Sequence, residues 1–206
     1  MPLVRRPGWS PASDAPAEGL KRLTSGTDDE RWSAARELSG RADAVDVLSA
    51  ALSRENEPRV REAILTSLAR VGTPRSAEAM LPMIRSDDAS QRTGALDALR
   101  LMPAALDAHL AGLLADPDPD VRLLACDLAR GLSSAAASEM LCALLMAEDE
   151  ANVAAAAIDV LAEVGGPGSL PGLEACAARF VETPFLVFAV KVAIERIGAQ
   201  ASTGHG

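Results

Sequence analysis

The stretch VRLLACDLARGLS at residues 121–133 has three close copies in the same chain: VREAILTSLARVG at 60–72, QRTGALDALRLMP at 91–103 and VAAAAIDVLAEVG at 153–165. Weaker copies flank them, ERWSAARELSG from Glu30 and LVFAVKVAIERIG from Leu186. The copies start at residues 30, 60, 91, 121, 153 and 186, so the step drifts only between 30 and 33. A fixed period of this size marks a supersecondary unit stacked on its neighbours. Within the copy at 60–72 the apolar positions are Val60, Ile64, Leu65, Leu68 and Val71. Gaps of four, one, three and three trace the buried stripe of an amphipathic helix; a half-buried strand would alternate.

A second, shorter segment with helical spacing precedes each copy: Leu48/Leu52, Leu81/Ile84, Leu110/Leu113/Leu114, Leu141/Leu144/Leu145 and Leu170/Leu173. An acidic turn joins the two, as in SRENEP ending at Pro58, SDDAS at 86–90, DPDPD at 116–120 and AEDEAN at 147–152. Pro58 and Pro119 fall at or near the first helical position, where a missing N–H costs nothing. The turn acids meet the positive end of the helix dipole. Gly72, Gly165 and Gly198 are read as C-terminal stops. The repeated unit is therefore helix–turn–helix, about six times over.

Each turn also carries an acid-x-x-x-Arg pattern: Glu57 with Arg61, Asp88 with Arg92, Asp118 with Arg122, and Thr27 with Arg31 in the first copy. The fifth copy keeps Glu150 but has Ala154 in the arginine position, and the sixth has Val187. This turn and the helix after it resemble the HEAT-repeat family, in its short bacterial, phycobilisome-lyase-like form. The resemblance spans about residues 16–198. It implies an all-α fold, a right-handed α-α superhelix of about six helical pairs, in a bacterial protein. Residues 1–15 are then a flexible arm and 199–206 a flexible tail. Trp9 in that arm is read as a cap on the first repeat or as part of a mobile segment. Members of the family include scaffolds, adaptors, chaperone-like factors and a few enzymes, so the likeness implies a fold rather than a job. The arginines are read as architecture, each bridging the acidic turn of its own or the adjacent repeat and satisfying carbonyls there, since a guanidinium suits bidentate bridging.

Composition narrows the function classes. Aromatics make up only 2% of the chain, with no tyrosine, so alanine and leucine must supply the packing. No apolar run approaches the ~20 residues that span a bilayer, and MPLVRRPGWSPASDAP has no apolar core of a secretory signal. A cytoplasmic location is expected, with no membrane partner. Cys126, Cys142 and Cys176 match no zinc or redox spacing and are read as small buried hydrophobes. His109 and His205 have no motif partners, and HExxH, GxSxG, Walker and GxGxxG patterns are all missing. The expectation is a non-enzyme with no metal and no cofactor. A formal net charge of −9, with Lys21 and Lys191 the only lysines, speaks against nucleic acid as a partner. It favours a protein partner of basic or apolar character.

The second helices should line the concave side of such a superhelix. Position 7 of the pattern reads Arg36, Thr66, Asp97, Asp127 and Asp159, then Val192; Arg100 and Arg130 occupy position 10, with Arg70 one place later. Asp97, Arg100, Asp127, Arg130 and Asp159 are thus the candidate partner-binding residues. The competing reading is a solvated face whose pairs, Asp97–Arg100 and Asp127–Arg130, contribute only ~0.2–0.5 kcal/mol each. The last repeat, FVETPFLVFAVKVAIERIG at 180–198, holds all three phenylalanines, Phe180, Phe185 and Phe188, although a terminal repeat should carry a polar outer face. Two readings stand for it: a surface for self-association or a partner, with Phe188 as its residue, or the most buried helix of the stack. The function expected is a non-catalytic interaction scaffold. The family resemblance implies an alternative, a lyase- or chaperone-like factor handling a tetrapyrrole-type chromophore on a client protein, which would want an apolar, aromatic-bearing groove. A glycosylase-like nucleic-acid enzyme would need a basic groove.

Overall fold

Why the chain folds as it does is visible in the turns that start its second helices. In the computed structural model, which describes residues 15–203, every regular element is helical. Trp9, most of the N-terminal arm and His205 lie outside the described residues. The second helices are α2 (Asp28–Glu37), α4 (Pro58–Val71), α6 (Ala89–Arg100), α8 (Pro119–Leu128), α10 (Ala151–Val164) and α12 (Pro184–Thr203). The first helices are α1 (Ala15–Ser25), α3 (Val45–Leu52), α5 (Pro74–Met80), α7 (Pro103–Leu114), α9 (Ser134–Ala147) and α11 (Leu170–Arg179). These are the six expected pairs. Pro58 and Pro119 are first helical residues, and Gly72 ends α4 with φ 67, a left-handed conformation that favours glycine. Gly198 does not stop its helix: α12 runs on to Thr203, five residues into the segment expected to be a tail. An isolated glycine costs a helix only about 1 kcal/mol, which its neighbours offset.

The chain divides into two compact units, Met1–Met80 and Leu81–Gly206. The division falls inside the third repeat, where α5 gives way to a 3₁₀ turn, Leu81–Arg85, that contains Pro82. Proline lacks the N–H that would continue the helix. In the first unit α2 packs on α4, and α3 packs on α1, α4 and α5. Leu48, Ile64, Leu68 and Met80 are fully enclosed there. The buried Ser67 hydroxyl, on α4, donates to the carbonyl of Ala35 on α2 at 2.8 Å. In the second unit α6, α8, α10 and α12 pack in sequence, with α7, α9 and α11 behind them. Leu99, Leu110, Leu141, Ile158 and Leu161 form its core. A Cβ on Gly172 of α11 would come within 2.8 Å of the Cys142 backbone on α9, so the close crossing of these helices requires glycine.

The arginine ladder binds turn carbonyls and the acids of adjacent turns, and the acid four residues back has a different task. Asp88 and Asp118, four residues before Arg92 and Arg122, cap their helices by accepting from the Ser90 and Asp120 amides at 2.8 and 2.9 Å. The arginines instead turn back onto carbonyls. Arg61, 7% exposed, donates to Glu55 and Asn56 carbonyls, Arg92 to Ser86, and Arg122 to Asp116 and Pro117. Arg31 and Arg122 also reach forward to a carboxylate in the next turn. Arg31 takes Glu55 through two bonds, at 2.8 and 3.0 Å, and Arg122 takes Glu148 through two at 2.8 Å. Arg85 does the same for Asp116. Each of these carboxylates is buried, and each accepts amides of its own turn: Glu55 from Glu57, Asp116 from Asp118, Glu148 from Asp149 and Glu150. Where Ala154 replaces the arginine, Arg179 of α11 takes over and donates to the carbonyls of Leu145, Met146 and Glu148.

Burial pushes the Glu148 carboxyl up, but the Arg122 guanidinium and the two turn amides outweigh it and hold the group below its ordinary range. Glu55 follows the same balance with Arg31. Replacing Glu148 by alanine leaves Arg122 without its carboxylate and two turn amides without an acceptor. Glu148→Ala should therefore cost about 3 kcal/mol at neutral pH, read by urea unfolding. The folded pKa lies below the unfolded value of about 4.3, so the contribution is present above that pH and fades as pH falls through the folded value. The gap between wild type and variant should narrow in acid; a gap that stays constant would assign the loss to packing alone.

Candidate functional site

Asp97 and Arg100 lie on α6, and Asp127 lies on α8. Arg130 sits in the 3₁₀ turn Ala129–Gly131 that ends α8, and Asp159 lies on α10. The repeat period brings these side chains to one face of the second unit, and there they pair with one another. Arg100 bonds Asp97 within its own helix and Asp127 on the next, the latter at 2.7 Å from Nε and 2.6 Å from Nη2. Asp127 shares its other oxygen with Arg130 Nε at 3.2 Å. Arg130 then reaches Asp159 at 2.5 Å and Glu163. The expected i,i+3 pairs are both present, and they are links in a longer zigzag across α6, α8 and α10.

Glu163, at position 11 of its copy as Arg70 is of its own, completes the row beyond the candidate residues read from the sequence. Two guanidiniums meet four carboxylates, so the row is left with an excess of two negative charges. Partial burial works against the Arg130 cation, but Asp159, Glu163 and Asp127 raise its pKa well above the usual arginine value. In the first unit Arg36 and Arg70 take other partners. Arg36 lies over the Trp32 ring at 4.5 Å, with Arg59 also over that ring at 4.4 Å. Arg70 donates to Ser39. Trp32 is thus engaged by two cations.

Phe188 is no part of the zigzag. It lies on α12, 67% exposed, with Phe185, Val187 and Val181 also exposed nearby in sequence. Of the two readings of the last repeat, burial in the stack holds for Leu186, Val190, Ala193 and Ile197, while two of the three phenylalanines face outwards. The thiols are packing groups. Burial pushes Cys126 up to about 12 and raises Cys176, which keeps both protonated. Cys142 is half-buried. No helix of the described residues is long and apolar enough to cross a membrane.

The first-helix side of the second unit carries a different feature. A trough of about 690 Å³ opens between α7 and α9, lined by Leu114, Met140, Ala143 and Leu144 with Glu139 and Glu150 at its edge. A second trough, about 770 Å³, flanks α9 on its other side, towards the turn at Gly166–Gly168. Neither is lined by an aromatic residue.

A family model described as HEAT repeats matches residues 17–100 and 106–180. No curated protein matches the chain. Among solved structures, an engineered protein is 18% identical with a TM-score of 0.45, over 91% of this chain and 97% of that one. A designed armadillo repeat protein is 14% identical with a TM-score of 0.43, over 89% of this chain and 99% of that one. A chain from the complex of CpcE and CpcF of phycocyanin lyase from Nostoc is 16% identical with a TM-score of 0.39, over 96% of this chain and 98% of that one.

The zigzag is solvent-facing, so it should contribute little to stability. Arg130→Ala should lower unfolding free energy by about 1 kcal/mol or less, with the difference shrinking in high salt. A loss as large as that expected for Glu148→Ala would make the row a structural element instead.

Proposed function

The chain belongs to the HEAT-repeat family, and we propose that it is a non-catalytic interaction module that holds a protein partner against the second-helix face of its second unit. The observation that carries this reading is the zigzag of Asp97, Arg100, Asp127, Arg130, Asp159 and Glu163. Each carboxylate is already fixed by a guanidinium, so less side-chain freedom is lost when a partner arrives. The surplus negative charge selects lysine or arginine on that partner, and the alternating signs set its register. Repeat proteins present such faces for binding.

The exposed apolar residues of the last repeat support a second contact. Phe185, Phe188, Val181 and Val187 are large apolar side chains in a repeat whose outer face should be polar. A second copy of the chain or the same partner would cover them. The chromophore-handling alternative ranks behind, because the troughs described above lack the aromatic lining that it wants.

Two experiments test these contacts. Affinity capture from lysate with quantitative mass spectrometry should show a protein retained by wild type and lost with Asp97→Asn/Asp159→Asn, the loss mimicked by salt. Retention of every bound protein by the double variant would remove the row from the interface. Phe188→Asp should keep the wild-type melting temperature, because the ring is exposed, and should shift the oligomeric state or abolish capture. An identical elution profile and identical capture would leave the end patch without a role.

A further inference from the structure

We infer that the trough between α7 and α9 is a docking site for a helical segment of a partner protein whose apolar side chains are flanked by lysine or arginine. This extends the interaction-module reading to a second surface, and it stands on different residues. The floor is apolar: Leu114 comes from α7, and Met140 and Leu144 from α9. Along its walls Ala111, Ala143 and Ala147 are exposed and short, so another backbone can approach closely. A volume near 690 Å³ lies inside the range of roughly 300–1,000 Å³ typical of binding sites.

The sequence of α9 makes the trough unusual. A surface helix normally turns a charged face to water. Across Ser134–Ala147 the one charged residue is Glu139, and the exposed positions include Ala135, Ala143, Met146 and Ala147. With a trough on either side, α9 stands as a ridge that could seat in the groove of another helix. An incoming helix would read it with apolar side chains at i, i+3 or i+4.

Electrostatics then choose the flanks of that helix. Five carboxylates line the trough against one guanidinium. Asp116 and Glu148 are taken by Arg85 and Arg122, and Asp149 sits 3.5 Å from Arg179. Glu139 and Glu150, both exposed, make no ion pair among the described residues. Both α7 and α9 also end here, and a helix C-terminus carries partial negative charge. Apolar side chains therefore find the floor, and cations beside them find the rim. An acidic segment of the same shape would meet repulsion from the carboxylates.

The test uses the full chain and two fluorescein-labelled helical peptides of about fourteen residues, one of leucine and lysine, the other of leucine and glutamate. The Leu/Lys peptide should bind saturably, at least about tenfold more tightly than the Leu/Glu peptide at low salt. Ala143→Trp fills the trough from an exposed helical position. It should weaken the Leu/Lys peptide about tenfold with an unchanged circular-dichroism melt. Glu150→Lys leaves the trough open and should reduce both affinity and its salt dependence. Asp97→Asn/Asp159→Asn should leave peptide binding intact. The inference is overturned by no saturable binding, by equal binding of the two peptides, or by binding indifferent to Ala143→Trp. Binding lost only in the Asp97/Asp159 variant would also overturn it and assign the peptide to the second-helix row.

Discussion

A buried carboxylate at the start of three of the acidic turns, held by an arginine from elsewhere in its unit, is the constraint on which those repeats depend. Glu55, Asp116 and Glu148 each sit out of water, accept the amides of their own turn and receive a guanidinium from Arg31, Arg85 and Arg122. A turn between helices exposes unsatisfied amides and carbonyls at both helix ends. Here the carboxylate takes the amides and the arginines take the carbonyls. An ion pair of this kind is stabilising only because its remaining hydrogen-bonding capacity is also used, since desolvation alone would offset the attraction. Its larger effect is on geometry. Two turns tied by one planar, bidentate pair cannot slide past each other without orphaning a charge.

The helices themselves were legible from the residues. The stripe Val60, Ile64, Leu65, Leu68 is buried as its spacing predicts, and the proline and aspartate signals mark the helix starts. The arginine column was also correctly read as architecture. Which acid each arginine takes was not legible, because the acid four residues back in sequence caps the helix, while the acid that bonds Arg122, in the adjacent turn, is 26 residues on. Local spacing cannot reveal a pair that exists only once neighbouring turns are packed. The run-on of α12 past Gly198 has a similar origin, since one glycine weakens a helix without ending it. For the candidate site, period alone brought Asp97, Asp127 and Asp159 into one row. What period could not tell was that Arg100 and Arg130 would each bridge adjacent helices and leave the row largely self-satisfied.

The second unit therefore has two contrasting surfaces. One is a row of paired charges, the face proposed to hold a partner. The other is a trough with an aliphatic floor and an acidic edge, signalled in the sequence by a helix, Ser134–Ala147, with almost no charge. The paired row offers specificity at little cost to folding, since exposed ion pairs stabilise weakly. The trough offers apolar area, which is where most affinity originates. A low aromatic content suits both, because alanine and leucine keep helices close and leave shallow channels between them.

The pairing of Arg122 with Glu148 also says what can be inherited as a block. A duplication or loss that followed the helix pairs, taking α9 with α10, would remove Glu148 and strand Arg122 in the preceding pair. One that took α8 with α9 and the turn after it would carry both charges together. The smallest piece of this gene that keeps Arg31 with Glu55, or Arg122 with Glu148, thus begins with a second helix and closes on the acidic turn before the next. For these two buried pairs the module is offset by half a repeat from the hairpins that the eye picks out.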